Sequence, residues 1–210
     1  MEKIKIGEIK CEALRLVFPE LDLHFDSDNA ESINSAVANL KCDPTLKGYL
    51  DSCVGAINRA LSIIESKGAS KTEIKTISLK GKAKIGGMVR VPLKDEVKEA
   101  HNVIAIYQNG KSVNFTKEAD GILLVEAQNG EAEILYNSKI PRISEKTSDS
   151  YEIELDSAIL ELIPYFVRSE LILGEDEKGA KDARNEFLSA LNSVLIKPTG
   201  GGAVMTVYSI

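Results

Sequence analysis

The hydrophobic period changes twice along this 210-residue chain, and that constrains its fold more than any single motif. From Asp43-Pro44 onward, Leu46, Tyr49, Leu50, Cys53, Val54, Ile57, Ala60, Leu61 and Ile64 recur at helical spacing for five turns. Asp43 can cap free N–H groups, Pro44 is tolerated at a first helical position, and Gly68 supplies the stop. A helix with one broad apolar face must pack on other helices. Between about 72 and 143 the pattern turns to β-rich, period-two runs: 74–79, 88–91, 103–107, 112–115, 122–126 and 132–136. Gly86-Gly87, Asn109-Gly110, Asp120-Gly121 and Asn129-Gly130 punctuate them. Gln108-Asn-Gly-Lys111 and Gln128-Asn-Gly-Glu131 predict two-residue hairpins, because Asn-Gly accepts positive φ at both central positions.

Helical spacing returns in two segments, 156–173 and 176–195, separated by Gly174-Glu-Asp176. Asp156 is placed to cap the first, and Pro164 inside it should kink or split it. Two shorter helices are expected at 8–18, ended by Pro19, and at 30–40. The fold class expected is α+β: a helical bundle built from N- and C-terminal helices (1–70 and 151–196) with an inserted small antiparallel β module (71–150). The module's evenly spaced short strands suggest a sandwich or open barrel. A tail, 197–210, follows, in which Gly200, Gly201 and Gly202 form a hinge before the β-prone Ala203, Val204, Met205, Thr206, Val207 and Tyr208.

Composition narrows the function. Hydrophobic content of 43% supports a real core, but aromatic content of 5% with no Trp leaves it to Leu, Ile, Val and Ala. A formal charge of −6 does not provide the field that neutralises nucleic-acid phosphates. Lys71, Lys75, Lys80, Lys82, Lys84 and Arg90 are close in sequence and read as solvated lysines and arginine on strand faces and loops. Cys11, Cys42 and Cys53 are an odd number with no CxxC, which points to free thiols in a reducing compartment. No apolar run approaches the ~20 residues of a membrane span, and Met1-Glu-Lys-Ile-Lys lacks a signal-peptide core. We expect a chain made in the cytosol with no membrane attachment.

The sequence carries no catalytic constellation, no metal-ligand spacing and no cofactor motif. His24 and His101 lack zinc-ligand spacing. Gly81-Lys-Ala-Lys-Ile-Gly86-Gly87 is not a phosphate cradle, since no helix start follows it, and reads as a hairpin or bulge. Asp22, His24, Asp26 and Asp28 lack the Gly and terminal Glu of a calcium loop. Glu175-Asp-Glu177 places acid at a helix N-terminus, where the macrodipole favours it. An enzyme would need convergent carboxylates, for which Glu126, Glu131 and Glu133 are the candidates.

The C-terminal third resembles bacteriophage head–tail connectors, or neck adaptors. The resemblance rests on Ile134-Leu-Tyr136 and Lys139-Ile-Pro141 ending a β segment, then Leu160-Glu-Leu-Ile-Pro-Tyr-Phe-Val-Arg-Ser-Glu-Leu171, then Gly174-Glu-Asp-Glu. A helix with Ala180, Ala183, Asn185-Glu-Phe187 and Leu191 completes it. The early Glu8-Ile-Lys-Cys-Glu-Ala-Leu-Arg-Leu helix also fits, while the β module is longer than the short hairpin common in such adaptors. What the resemblance implies is a non-enzymatic virion structural protein, made in the host bacterial cytoplasm and placed in the virion neck. It implies a homo-oligomeric ring, typically of twelve copies, joining portal to tail or neck proteins and bounding a channel through which DNA passes without specific binding. In that setting residues 203–208, swung on 200–202, would add a strand to a neighbour. The alternative reading is a β module on a helical scaffold that recognises a virion or cell-surface ligand.

Overall fold

Helix and strand segregate along the chain in the computed structural model, which describes residues 1–21, 23, 25–26, 29–118 and 121–195. The fold is α+β with antiparallel sheets, and two units divide it: Met1–Ala60 with Ile143–Ile210, and Leu61–Arg142. Among the described residues no helix is long and apolar enough to cross a membrane.

The helical unit begins with strand β1 (Glu2–Lys5), helix α1 (Ile6–Val17), helix α2 (Ala30–Cys42) and helix α3 (Pro44–Ser66). Asn29 accepts from the N–H groups of Glu31 and Ser32 to start α2, and Asp43 Oδ1 accepts from Thr45 N at 2.8 Å to start α3. At the far end of α3, Gly68 takes φ 75° while Ala69 N reaches Ile64 O and Gly68 N reaches Glu65 O. That double closure is the Schellman motif, and it needs a residue tolerant of positive φ. The division between units falls within α3, not at its end. Glu65 explains this: its carboxylate accepts from Ile140 N at 2.7 Å and Arg142 Nη2 at 2.5 Å, tying the last turns of α3 to the β unit's exit.

After the β unit come strand β10 (Glu152–Leu155), helix α5 (Ser157–Leu160), helix α6 (Ile163–Leu171) and helix α7 (Glu177–Leu195). Pro164 splits the expected single helix: it sits at the start of α6, where its missing N–H is one of the free donors anyway. Asp156 caps α5 through Ala158 N at 3.0 Å, as its spacing predicts, and Asp176 accepts from Gly179 N at 2.9 Å before α7. Helix α1 packs on α2 and α6, and α6 on α7. Phe166 and Phe187, both fully buried, meet at 4.9 Å between ring centroids, worth about 0.5–1.5 kcal/mol beyond area burial. Strand β10 pairs antiparallel with β1, Ile4 opposite Ile153. Nothing in the sequence announces this ribbon, because each strand is four residues long and its partner lies far away along the chain.

The β unit holds strands β2 (Thr72–Ser78), β3 (Lys84–Ile85), β4 (Met88–Pro92), a turn of helix α4 (Leu93–Glu96), and strands β5 (Ala100–Gln108), β6 (Lys111–Val113), β7 (Phe115–Glu118), β8 (Ile122–Val125) and β9 (Glu131–Ser138). They form two four-stranded sheets, β2-β9-β5-β6 and β3-β4-β8-β7. Residues 111–118 are nearly one strand that changes sheet at Asn114, so β6 and β7 each close one sheet's end. Alternate residues such as Ile77, Val89, Val91, Ile106, Leu123 and Ile134 face inward and are buried. Each such side chain contributes about 1.5–3 kcal/mol relative to exposure.

One of the two Asn-Gly hairpins is as expected. Asn109 and Gly110 take φ 52° and 73° and join β5 to β6. The other expectation is overturned. Strand β8 pairs with β4 and β7, β9 pairs with β2 and β5, and they do not pair with each other. Asn129-Gly130 lies in a crossing between sheets, and Asn129 is not at positive φ. The Gln108 side chain pins that crossing, donating to Gln128 O and accepting from Gln128 N at 2.9 Å each.

Candidate functional site

The tail residues expected to engage a partner, Ala203, Val204, Met205, Thr206, Val207 and Tyr208 with the hinge Gly200, Gly201 and Gly202, lie outside the described residues. So do Asp22, His24 and Asp28. What the structure does place are the polar groups inside each unit and the exposed faces of the sheets.

In the helical unit two acidic side chains act as internal anchors. Asp149, in the segment before β10, takes Lys10 Nζ at 2.6 Å and Lys41 Nζ at 3.5 Å, while its backbone oxygen accepts from Gly7 N at 2.8 Å. Ile6 N donates to Tyr151 O. The start of α1 is therefore fixed to the chain as it returns from the β unit. Lys10 and Asp149 retain only 10% and 13% side-chain exposure, so removing either leaves a poorly solvated charge. Glu170 of α6 takes Arg59 Nε at 2.6 Å and Arg184 Nη1 at 3.6 Å, linking α3, α6 and α7. The Arg184 guanidinium also lies 5.7 Å from the centre of the Phe166 ring. Tyr49 donates to Glu175, which holds the Tyr49 hydroxyl's pKa above its usual value. Each carboxylate is consumed by a cation or hydroxyl, an arrangement that positions helices and offers no base to a substrate.

The two buried thiols carry no reactivity either. Cys11 and Cys53 are fully buried, and desolvation pushes both up to about 12. A thiol that keeps its proton at neutral pH is neither nucleophile nor metal ligand. Among the described residues no group of three His, Cys, Asp or Glu side chains is placed to hold a metal ion.

In the β unit the three candidate carboxylates are dispersed over two sheets. Glu126 follows β8 and accepts from Asn114 Nδ2 at 2.9 Å, whereas Glu131 and Glu133 lie on β9 opposite Ser78 and Thr76. The aromatic side chains do not make a stacking platform. Tyr136 is buried in the core and donates to Glu73 Oε2 at 2.9 Å, and burial followed by that bond raises its pKa to about 12. Phe115 packs on the same core. His101 is exposed on β5.

One open groove of about 680 Å³ lies at an end of this unit. The Gly86-Gly87 turn, the Asn109 hairpin and the loop from Glu126 to Gln128 line it. Gly86 and Gly87 hold φ 58° and 85°, the positive pair of a tight hairpin, so backbone forms one wall without side chains. Gln108 and Glu126 are already engaged by neighbours, leaving Asn109, Lys111, Ser112 and the Gln128 side chain as polar contacts for a ligand. Donors and acceptors without a paired acid and base suit binding rather than catalysis.

Charge is divided between the units. Residues 61–142 carry 13 Lys and Arg against 10 Asp and Glu, net +3; the remainder carries 13 against 22, net −9. The whole acidic excess of the chain belongs to the helical unit. Sequence alone shows the counts, but only the division into units shows which surface carries them. No protein-family model and no curated protein sequence matches the chain.

Proposed function

We propose that this chain is a non-enzymatic bacteriophage head–tail connector, assembling with portal and tail proteins as a ring that bounds the DNA channel in the virion neck. The observation that supports this reading is the packing of the helices that make up the helical part of the resemblance. In one unit α6, which begins at Pro164, packs on α1 and on α7, and α5 touches α7; Asp149 holds α1, and Glu170 links α3, α6 and α7. On this reading the finer architecture is a helical bundle built from both ends of the chain, with the β unit inserted between its halves. Every buried charged group named above is used for internal fixation, as expected of a part whose task is mechanical.

The division of charge supports the same reading. A helical unit at net −9 repels duplex phosphates and leaves the DNA free to slide, whereas a nucleic-acid-binding surface has the opposite sign. Mixing the purified protein with the portal protein of the same virion, followed by electron microscopy, tests the proposal. A new layer of density on the portal's tail-facing end is expected. Unchanged portal particles at saturating protein would remove the proposal's basis. The second reading, a β unit that recognises a virion or cell-surface ligand, is favoured by the open groove between the Gly86-Gly87 and Asn109-Gly110 turns. Loss of cell or particle binding on Lys111→Glu, with portal association intact, would select it.

A further inference from the structure

Strand β2 ends its sheet, and among the described residues no strand pairs on its outer side. The other sheet ends are short: β3 has two residues, and β6 and β7 run into each other. β2 has seven residues, and a long bare edge is the feature that sheets normally blunt. The ladder shows which groups are bare. Ser138 N donates to Lys71 O, and Leu79 N to Gly130 O, so 71, 73, 75, 77 and 79 bond toward β9. The N–H and C=O groups of Thr72, Ile74, Thr76 and Ser78 therefore point outward. Ile74 is also 65% exposed, the highest among the large hydrophobic side chains described.

From this edge we infer that β2 pairs antiparallel with β2 of a second copy, centred on Ile74. The stretch Thr72-Glu73-Ile74-Lys75-Thr76 is its own complement when turned end for end. Thr72 then faces Thr76, Glu73 faces Lys75, and Ile74 faces Ile74. All three outward residues make paired hydrogen bonds in that register, about six across the two-fold axis. Both exposed Ile74 side chains are covered, and two Glu–Lys pairs form on one face. Charge disfavours the two neighbouring registers. Centring one residue later sets Lys75 against Lys75, and one residue earlier sets Glu73 against Glu73. Lys75, which guards the edge against an uncharged strand, becomes a specificity element for this one. The contact is isologous, so it is distinct from the one-way contacts of a closed ring and belongs to the free protein. The inference is independent of the connector reading.

Sedimentation of the full chain across about 1 µM to 1 mM tests it, since a contact of one strand edge is small. Wild type is expected to move from 22.8 kDa toward twice that mass with concentration. Ile74→Lys sets like charges on the axis at an already exposed position and is expected to stay monomeric. Glu73→Lys alone and Lys75→Glu alone are each expected to be monomeric, since each sets like charges against each other at positions 73 and 75. Mixing these two variants is expected to restore a dimer, because both cross-axis pairs between position 73 of one copy and position 75 of the other then join opposite charges. Damage to the fold is not repaired by mixing, so the recovery is specific to this pairing. A monomeric wild type at the highest concentration, variants that still dimerise, or a mixture that does not recover each overturns the inference. A wild-type monomer that still joins the portal would do so while leaving the connector reading standing.

Discussion

Gly7 offers a substitution for which two physical rules give opposite signs. It lies in the first turn of α1, where Gly→Ala ordinarily gains up to about 1 kcal/mol of helix propensity. A Cβ built there, however, overlaps Ile33 Cγ2 and falls 3.1 Å from both Cβ and the backbone oxygen of Asp149. Ile33 is fully buried in α2, and Asp149 is held by Lys10, so neither neighbour yields easily. Overpacking of this kind costs about 1–3 kcal/mol, and displacing residue 149 also strains the 2.8 Å bond from Gly7 N, worth about 1 kcal/mol. The steric terms win, and Gly7→Ala is expected to lower unfolding stability by about 1–3 kcal/mol after the propensity gain is subtracted. Urea denaturation with an unchanged m-value measures it. Ile33→Ala removes the clashing atom and alone costs about 2–4 kcal/mol through its cavity. In the Gly7→Ala background it should cost less by about 1 kcal/mol or more, because the new methyl fills part of that cavity. A Gly7→Ala protein as stable as wild type, or strictly additive double-mutant energies, would refute the close packing of α1, α2 and the returning chain.

Asp149→Ala strands Lys10 in a site with little water and is expected to cost about 3–5 kcal/mol, against clearly less for Lys10→Met, which removes the charge and keeps the stem; both are read by urea denaturation. Native protein treated with a thiol reagent is expected to react at Cys42 alone, with Cys11 and Cys53 labelled only on unfolding; three thiols reacting together would contradict the buried placement. Cys11, Cys53 and Tyr136 hold their protons more tightly folded than unfolded. Their contribution is complete below the ordinary values of 9.0 and 10.0 and is lost as pH rises toward about 12, so alkaline melting should steepen across that window. Asn109→Ala is expected to cost about 1 kcal/mol because φ 52° strains an Ala, whereas Asn129→Ala, at a position without positive φ, should change stability by less than about 0.5 kcal/mol.

The long elements were readable because their signals are local. The apolar stripe of α3, with Asp43 before it and Gly68 after it, contains everything needed to start, face and stop a helix. Pro164 marked the split between α5 and α6 for the same reason. The two Asn-Gly pairs show where local reading ends. Identical dipeptides make a hairpin at 109–110 and a crossing at 129–130, because the partner of β9 is set by distant β2 and β5 and by the Gln108 side chain. The β1–β10 ribbon and the Asp149 anchor went unseen because nothing nearby in sequence marks a partner about 140 residues away; Glu170 went unseen too, although a lone acid among Phe166, Val167 and Leu171 is a local sign of an internal cation. The bare edge of β2 was equally hidden, since a strand's rank in its sheet is a property of pairing and leaves no trace in its own residues.

The central claim, a ring on the portal, is tested most directly by the mass of the complex formed with purified portal particles. Light scattering should show a saturable gain of one 22.8 kDa chain per ring position, about 270 kDa for the twelve copies that the resemblance implies. A portal mass that does not change at saturating protein, or one that grows without saturating, would contradict it.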